Sequence, residues 1–116
     1  MEKKGYRERR VAELLRQEIS RIIFEDVKDP RVKDVVITDV VVSKDLSVSK
    51  VYFRTLLHEN SENARFGLEN CGNFIHAKLM KVLRMKKVPK LSFFLDETVD
   101  NSVRIEKIIK EINQNS

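Results

Sequence analysis

Apolar residues recur along the first quarter of the chain at Val11, Leu14, Leu15, Ile19, Ile22 and Ile23, with Arg and Glu between them. This is the stripe of an amphipathic helix and predicts one of about five turns over Tyr6–Val27. Asp29-Pro30 stops it, because the residue before a proline is pushed out of the α region. The pattern then changes period. VVITDVVVS (35–43) is dense in β-branched residues that suit a pleated strand. Lys44-Asp45, flanked by Ser43 and Ser47, reads as a turn. Val48–Leu57 alternates, with Val51, Phe53 and Thr55 on one face and Lys50, Tyr52 and Arg54 on the other. Two strands and a short polar turn make a hairpin.

HENSEN (58–63) offers several helix N-cap residues, and a second stripe follows at Ala64, Leu68, Cys71, Ile75, Leu79 and Val82. It runs through Gly72, which costs a helix about 1 kcal/mol relative to alanine. One helical run with a kink or break at Cys71-Gly72-Asn73 is expected, ended by Pro89. KLSFFLD (90–96) is a third strand, with Leu91, Phe93 and Leu95 on one side and Ser92, Phe94 and Asp96 on the other. Val103, Ile105, Ile108, Ile109 and Ile112 mark a short helix over Asn101–Ile112, before a polar tail at 113–116. Three strands with helices on a single face form a two-layer α+β sandwich. No repeat or composition shift divides the 116 residues, so one domain is expected, with an ordered core of about residues 6–112.

Charge changes this picture locally. The chain has 23 Lys+Arg against 18 Asp+Glu, a net charge of only +5. Residues 78–90, KLMKVLRMKKVPK, however, carry six cations and no acid: Lys78, Lys81, Arg84, Lys86, Lys87 and Lys90. A solvated helix face is the ordinary reading of a charge run. Here the run lacks interspersed acids and continues past the helix end, so it follows a path, as a footprint for a polyanion does. A membrane-surface helix is disfavoured because the intervening apolar residues belong to the core stripe and tryptophan is absent. Lys50, Tyr52 and Arg54 are weaker candidates for contacts to nucleotides. Arg7, Arg9 and Arg10 would act by charge alone.

Catalytic motifs are missing: there is no phosphate-binding glycine loop, nucleophile elbow or metalloprotease helix. His58 and His76 lack partners at metal spacing, and Cys71, the single cysteine, lies on an apolar stripe where an inert thiol is usual. The expectation is a non-enzyme without cofactor, metal or small-molecule substrate. No apolar run exceeds three residues and the N-terminus has no signal-peptide core, so no membrane association and a cytoplasmic location are expected.

Three ordered blocks carry a resemblance: RVAELLRQEISRII (10–23), DPRV (29–32) with VITDVVVSKDLSVSKVYF (36–53), and FIHAKLMKVLRMKKVPKLSFFLD (74–96). In this order they resemble the ribosome-binding factor A family of bacterial small-subunit assembly factors. The resemblance implies a type II KH-like fold, helix-strand-strand-helix-strand, without the GXXG loop of ordinary KH domains. It also implies a kinked helix, commonly at Ala-x-Gly. Here the triplet is Cys71-Gly72-Asn73, so either the glycine is shifted by one or Asn73 takes the left-handed conformation. The implied partners are 16S ribosomal RNA and free or immature 30S subunits rather than 70S ribosomes. The implied role is late subunit maturation and rRNA processing, with importance in the cold. No exposed apolar patch is evident in the sequence, so a monomer is expected. On that reading Lys78, Lys81, Arg84, Lys86, Lys87 and Lys90 are phosphate contacts, with Lys50, Tyr52, Arg54, Arg7 and Arg10 as further RNA contacts. The alternative is a KH-like protein-interaction or general RNA-binding module.

Overall fold

The computed structural model describes residues 2–97, which fold in the order α1 (Glu2–Glu25), β1 (Val35–Val42), β2 (Val48–Thr55), α2 (Ser61–Val82) and β3 (Lys90–Leu95). Single 3-10 turns at Pro30–Val32 and His58–Asn60 precede β1 and α2. This is the helix-strand-strand-helix-strand order that the resemblance implies. The expected helix at 101–112 lies outside the described residues.

β2 is the central strand, antiparallel to β1 and parallel to β3. Ser49, Val51, Phe53 and Thr55 are buried on one face of β2, where both helices cover the sheet. α1 contributes Leu15, Ile19, Ile22 and Ile23 to this core, and α2 contributes Ala64, Leu68, Ile75 and Leu79. Leu14 falls at the margin of the α1 stripe and is exposed. The outer face of α1 carries the chain Glu18–Arg21–Glu25, with Arg21 contacts of 3.0 and 2.8 Å.

β1 departs from simple alternation. Its register with β2 jumps between Ile37 and Asp39, a bulge at Thr38. The buried positions therefore slip from Ile37 to Val40 and Val42. The run VVITDVVV thus keeps its core face through a change of phase.

The hairpin turn is built around Asp45, whose carboxylate accepts from the Ser47 hydroxyl at 2.6 Å, the Ser43 hydroxyl at 2.8 Å and the Ser47 N–H at 3.1 Å. These bonds lower its pKa to about 2, and the nearby Lys87 adds to the effect. Leu46 then takes the left-handed region at φ 60°, which costs a side-chain-bearing residue about 1–2 kcal/mol. Burial of Leu46 in the core offsets that cost.

Of the kink or break expected at Cys71-Gly72-Asn73, the structure excludes the break and the left-handed Asn73. The helix is continuous from Ser61 to Val82, and neither Gly72 nor Asn73 has positive φ. At Gly72 a Cβ would meet only the Phe93 ring at 3.7 Å, an ordinary contact. The glycine that the packing demands is Gly67. There a Cβ would stand 2.9 Å from Val32 Cγ1 and 3.0 Å from Arg31 Cβ, so α2 rests directly on the turn that follows α1. That turn is itself fixed by Asp29, which accepts from the Arg31 N–H at 2.9 Å and pairs with its guanidinium at 2.7 Å. Val82, the last residue of the predicted stripe, is exposed, and Leu83 beyond the helix takes its place in the core.

These contacts set opposite expectations for the two glycines. Gly72→Ala removes a helix glycine without a clash, and should stabilise by about 0.5–1 kcal/mol. Gly67→Ala forces Val32 or Arg31 to move, and should destabilise by about 1–3 kcal/mol. Thermal unfolding should separate the pair by several degrees, in opposite directions from wild type. Asp45 has a folded pKa near 2, below its ordinary value of 3.8. Its contribution to stability is therefore complete above the unfolded value and is lost as pH falls through about 2. The protection factor of the Ser47 amide, measured by NMR against the intrinsic exchange rate at each pH, should fall over that window in wild type. In Asp45→Ala it should already be low at neutral pH.

Candidate nucleic-acid interface

The segment that leaves α2 sorts its side chains by type. Leu83, Val88 and Pro89 are buried and Met85 is half-buried, whereas Arg84, Lys86, Lys87 and Lys90 are exposed. The His76 ring bonds the Val88 carbonyl oxygen at 3.1 Å and ties the segment back to α2. The Lys90 N–H donates to the Ser47 carbonyl at 2.9 Å, which joins it to the hairpin. A backbone anchored at both ends thus presents a row of cations to solvent, with its apolar side chains already committed to the core.

Lys78 stands apart from the other five. It is half-buried, its Nζ lies 4.0 Å from Asp26 of α1, and it also sits 5.6 Å from the Phe74 ring centre. Lys81, Arg84, Lys86, Lys87 and Lys90 have no ion pair within 4 Å among the described residues, although Lys87 lies near enough to Asp45 to lower its pKa. The candidate phosphate surface is therefore five residues, with Lys78 oriented by an internal acid.

Lys50, Tyr52 and Arg54 occupy the face of β2 opposite the helices, as their alternation with buried residues requires. Register places Val48 beside Lys90, Lys50 beside Ser92 and Tyr52 beside Phe94. Lys90 and Lys50 thus share the hairpin end of this open face. The Tyr52 and Phe94 rings lie 5.9 Å apart at 35°, and Lys50 Nζ is 5.9 Å from the Phe94 centre. Alternation along β3 assigns Phe94 to the polar side of the strand, yet the sequence reading does not count it as a site residue. The signal is present, because adjacent Phe93 and Phe94 cannot both face one core. Arg7, Arg9 and Arg10 are exposed on the first turns of α1, ahead of its core residues, as a separate basic element.

Two of the groups weighed for catalysis, Cys71 and His76, have structural explanations. Burial pushes the Cys71 thiol up, aided by the Asp29 carboxylate, which keeps it protonated at neutral pH. His76 is engaged with Val88. Among the described residues no three His, Cys, Asp or Glu side chains gather as metal ligands, and no helix is long and apolar enough to cross a membrane.

Comparison with known proteins places this geometry. Residues 7–109 match the family model described as ribosome-binding factor A. A ribosome-binding factor A of Caldanaerobacter subterraneus subsp. tengcongensis is 37% identical over 116 residues, covering 98% of this chain and 95% of that protein. One from Coprothermobacter proteolyticus is 34% identical over 111 residues, covering 96% of this chain and 81% of that protein. The crystal structure of ribosome-binding factor A from Thermus thermophilus superposes with a TM-score of 0.67 at 27% identity, covering 76% of this chain and 94% of that one. A Thermus thermophilus homology model, fitted into a cryo-EM map of a 30S–RbfA complex, superposes with a TM-score of 0.61 at 28% identity. It covers 72% of this chain and 88% of that one. With residues 7–109 matched by the family model and relatives at 34–37% identity over nearly the full chain, the chain belongs to the ribosome-binding factor A family.

Proposed function

We propose that this protein is a non-catalytic assembly factor that binds the 16S ribosomal RNA of free or immature 30S subunits, assists their late maturation and rRNA processing, and leaves before 70S ribosomes form. It works in the cytoplasm as a monomer and matters most in the cold, when misfolded RNA rearranges slowly. The observation that carries this reading is the anchored, acid-free row Lys81, Arg84, Lys86, Lys87 and Lys90. The Thermus thermophilus relative fitted into a 30S complex supplies the partner class.

The mechanism is binding energy. Exposed lysines and an arginine on a fixed backbone neutralise phosphates and release counterions without reading sequence. An RNA conformation that presents phosphates to the whole row binds more tightly than one that does not. Only that difference in affinity shifts the RNA equilibrium.

Co-sedimentation with isolated small subunits and with 70S ribosomes, across a salt titration, tests the proposal. Five phosphate contacts should give a slope of log K against log salt of about −3.5 to −4.5. Association should be selective for the small subunit. Replacing Lys81, Arg84 and Lys86 together by alanine should flatten the slope by about 2–3. Lys78→Ala should change it little, because that charge is shared with Asp26. No association of wild type at low salt would remove the ribosomal reading and leave a KH-like domain for another partner.

A further inference from the structure

The open face of the sheet is not an ordinary solvated surface. Phe94 is 43% exposed, and Val41 and Val48, on the flanking strand and on β2, are 50% and 49% exposed. The described helices cover only the opposite face, so the stability of the core does not call for an aromatic pair here. Phe53 and Phe93, the latter the neighbour of Phe94, already supply the aromatic residues of the core.

Three features of this face point to one kind of ligand. The Tyr52 and Phe94 rings come from directly paired positions of adjacent strands, at a centre distance within the range of interacting aromatic pairs. Lys50 stands at cation–π distance from Phe94, and Lys90 lies along the same face at the hairpin end. A groove of about 1120 Å³ wraps the outer edge of β3 and is lined in part by Tyr52, Phe94, Ser92 and Lys90. Acids also border the face and the groove: Asp39, the register partner of Tyr52, accepts from the Val40 N–H at 2.9 Å, and Asp96 accepts from the Thr38 hydroxyl at 2.6 Å. Glu62, Glu69 and Glu97 line the groove, the first two paired with Arg65 at 2.9 and 3.5 Å. Flat aromatic surface with cations on one side is complementary to a nucleobase joined to a phosphate. A duplex would offer phosphates but no free base face.

We propose that the open face of the sheet, centred on Phe94 and Tyr52, stacks unpaired RNA bases while Lys50 and Lys90 take the adjoining phosphates. This rests on the RNA-binding reading above and adds to it a second, non-electrostatic contact that discriminates single-stranded from paired RNA. Binding swings Lys50 off the Phe94 ring toward phosphate, and the base takes its place.

An eight-nucleotide oligouridylate and a duplex RNA of matched charge serve as probes. The chain has two tyrosines and no tryptophan, and Tyr6 is 64% exposed on α1. A Tyr6→Phe variant therefore leaves Tyr52 as the reporter of fluorescence. Oligouridylate should quench its emission, and the duplex should not. Phe94→Leu, which keeps an apolar side chain at an exposed site, should lose about tenfold in affinity for oligouridylate. Its salt slope and its duplex affinity should be unchanged. Phe94→Tyr should retain binding, and Lys50→Ala should flatten the single-strand salt slope by about 0.7.

Unchanged oligouridylate affinity in Phe94→Leu, with a loss in the Lys81/Arg84/Lys86 triple variant, overturns the stacking site and leaves the phosphate surface standing. Equal losses for oligouridylate and duplex in Phe94→Leu also overturn it, since paired bases cannot stack there. If wild type binds neither probe nor the small subunit, both readings fall.

Discussion

The two-residue alternation of β2 is the constraint on which the rest of the molecule depends. Ser49, Val51, Phe53 and Thr55 face the helices, and Val48, Lys50, Tyr52 and Arg54 face away. Both neighbours are held to this strand, β1 antiparallel and β3 parallel. A slip of one residue would turn Phe53 out to water and bring Lys50 and Arg54 into the core. Register here is therefore enforced by hydrophobic burial and by the cost of burying unpaired charge. The same register aligns Tyr52 with Phe94 and Lys90 with Val48, so the composition of the open face is a by-product of the packing on the buried one.

The basic segment depends on that core in a different way. Its cations are useful only if the backbone beneath them is held, and Leu83, Val88 and Pro89 hold it by burial. The His76–Val88 and Lys90–Ser47 bonds pin it to α2 and to the hairpin. A free chain with the same charges would lose conformational entropy on binding RNA, whereas much of that cost is already met in folding. The interleaving of apolar and basic residues that first invites comparison with a membrane helix is thus a division between anchor and contact.

Much of this was legible in the chain. The periods of 3.6 and 2 located all five described elements, and the alternation along β2 separated core from surface residue by residue. What escaped were features set by contacts distant in sequence. Nothing local in VVITDVVV announces that Thr38 is a bulge, because valines occupy both phases of the run. Gly72 looked like a point where the helix could break because of its own propensity, yet the helix continues through it. Gly67 is demanded by Val32 and Arg31, which lie before the β1–β2 hairpin in the chain, so no local pattern reveals it. Likewise Lys78 belongs to the basic run by sequence but is turned toward Asp26 by the packing of α1 beside α2.

Separating charge from stacking also bears on how a small binding protein can change an RNA. Phosphate contacts favour any RNA that reaches them, folded correctly or not, so they confer affinity with little preference among conformations. A surface that takes unpaired bases has such a preference built in, because a base must leave its helix to be bound and unstacking costs least where pairing is weakest. On this reading the row from Lys81 to Lys90 keeps the protein on its target, and the Tyr52–Phe94 face weights the equilibrium toward strands that are still open. The two surfaces meet at Lys90, which belongs both to the loop and to the first position of β3. A single strand passing that residue can therefore engage phosphates on one side and lay its bases on the sheet on the other. The parallel β2–β3 pairing holds the two surfaces at a fixed spacing.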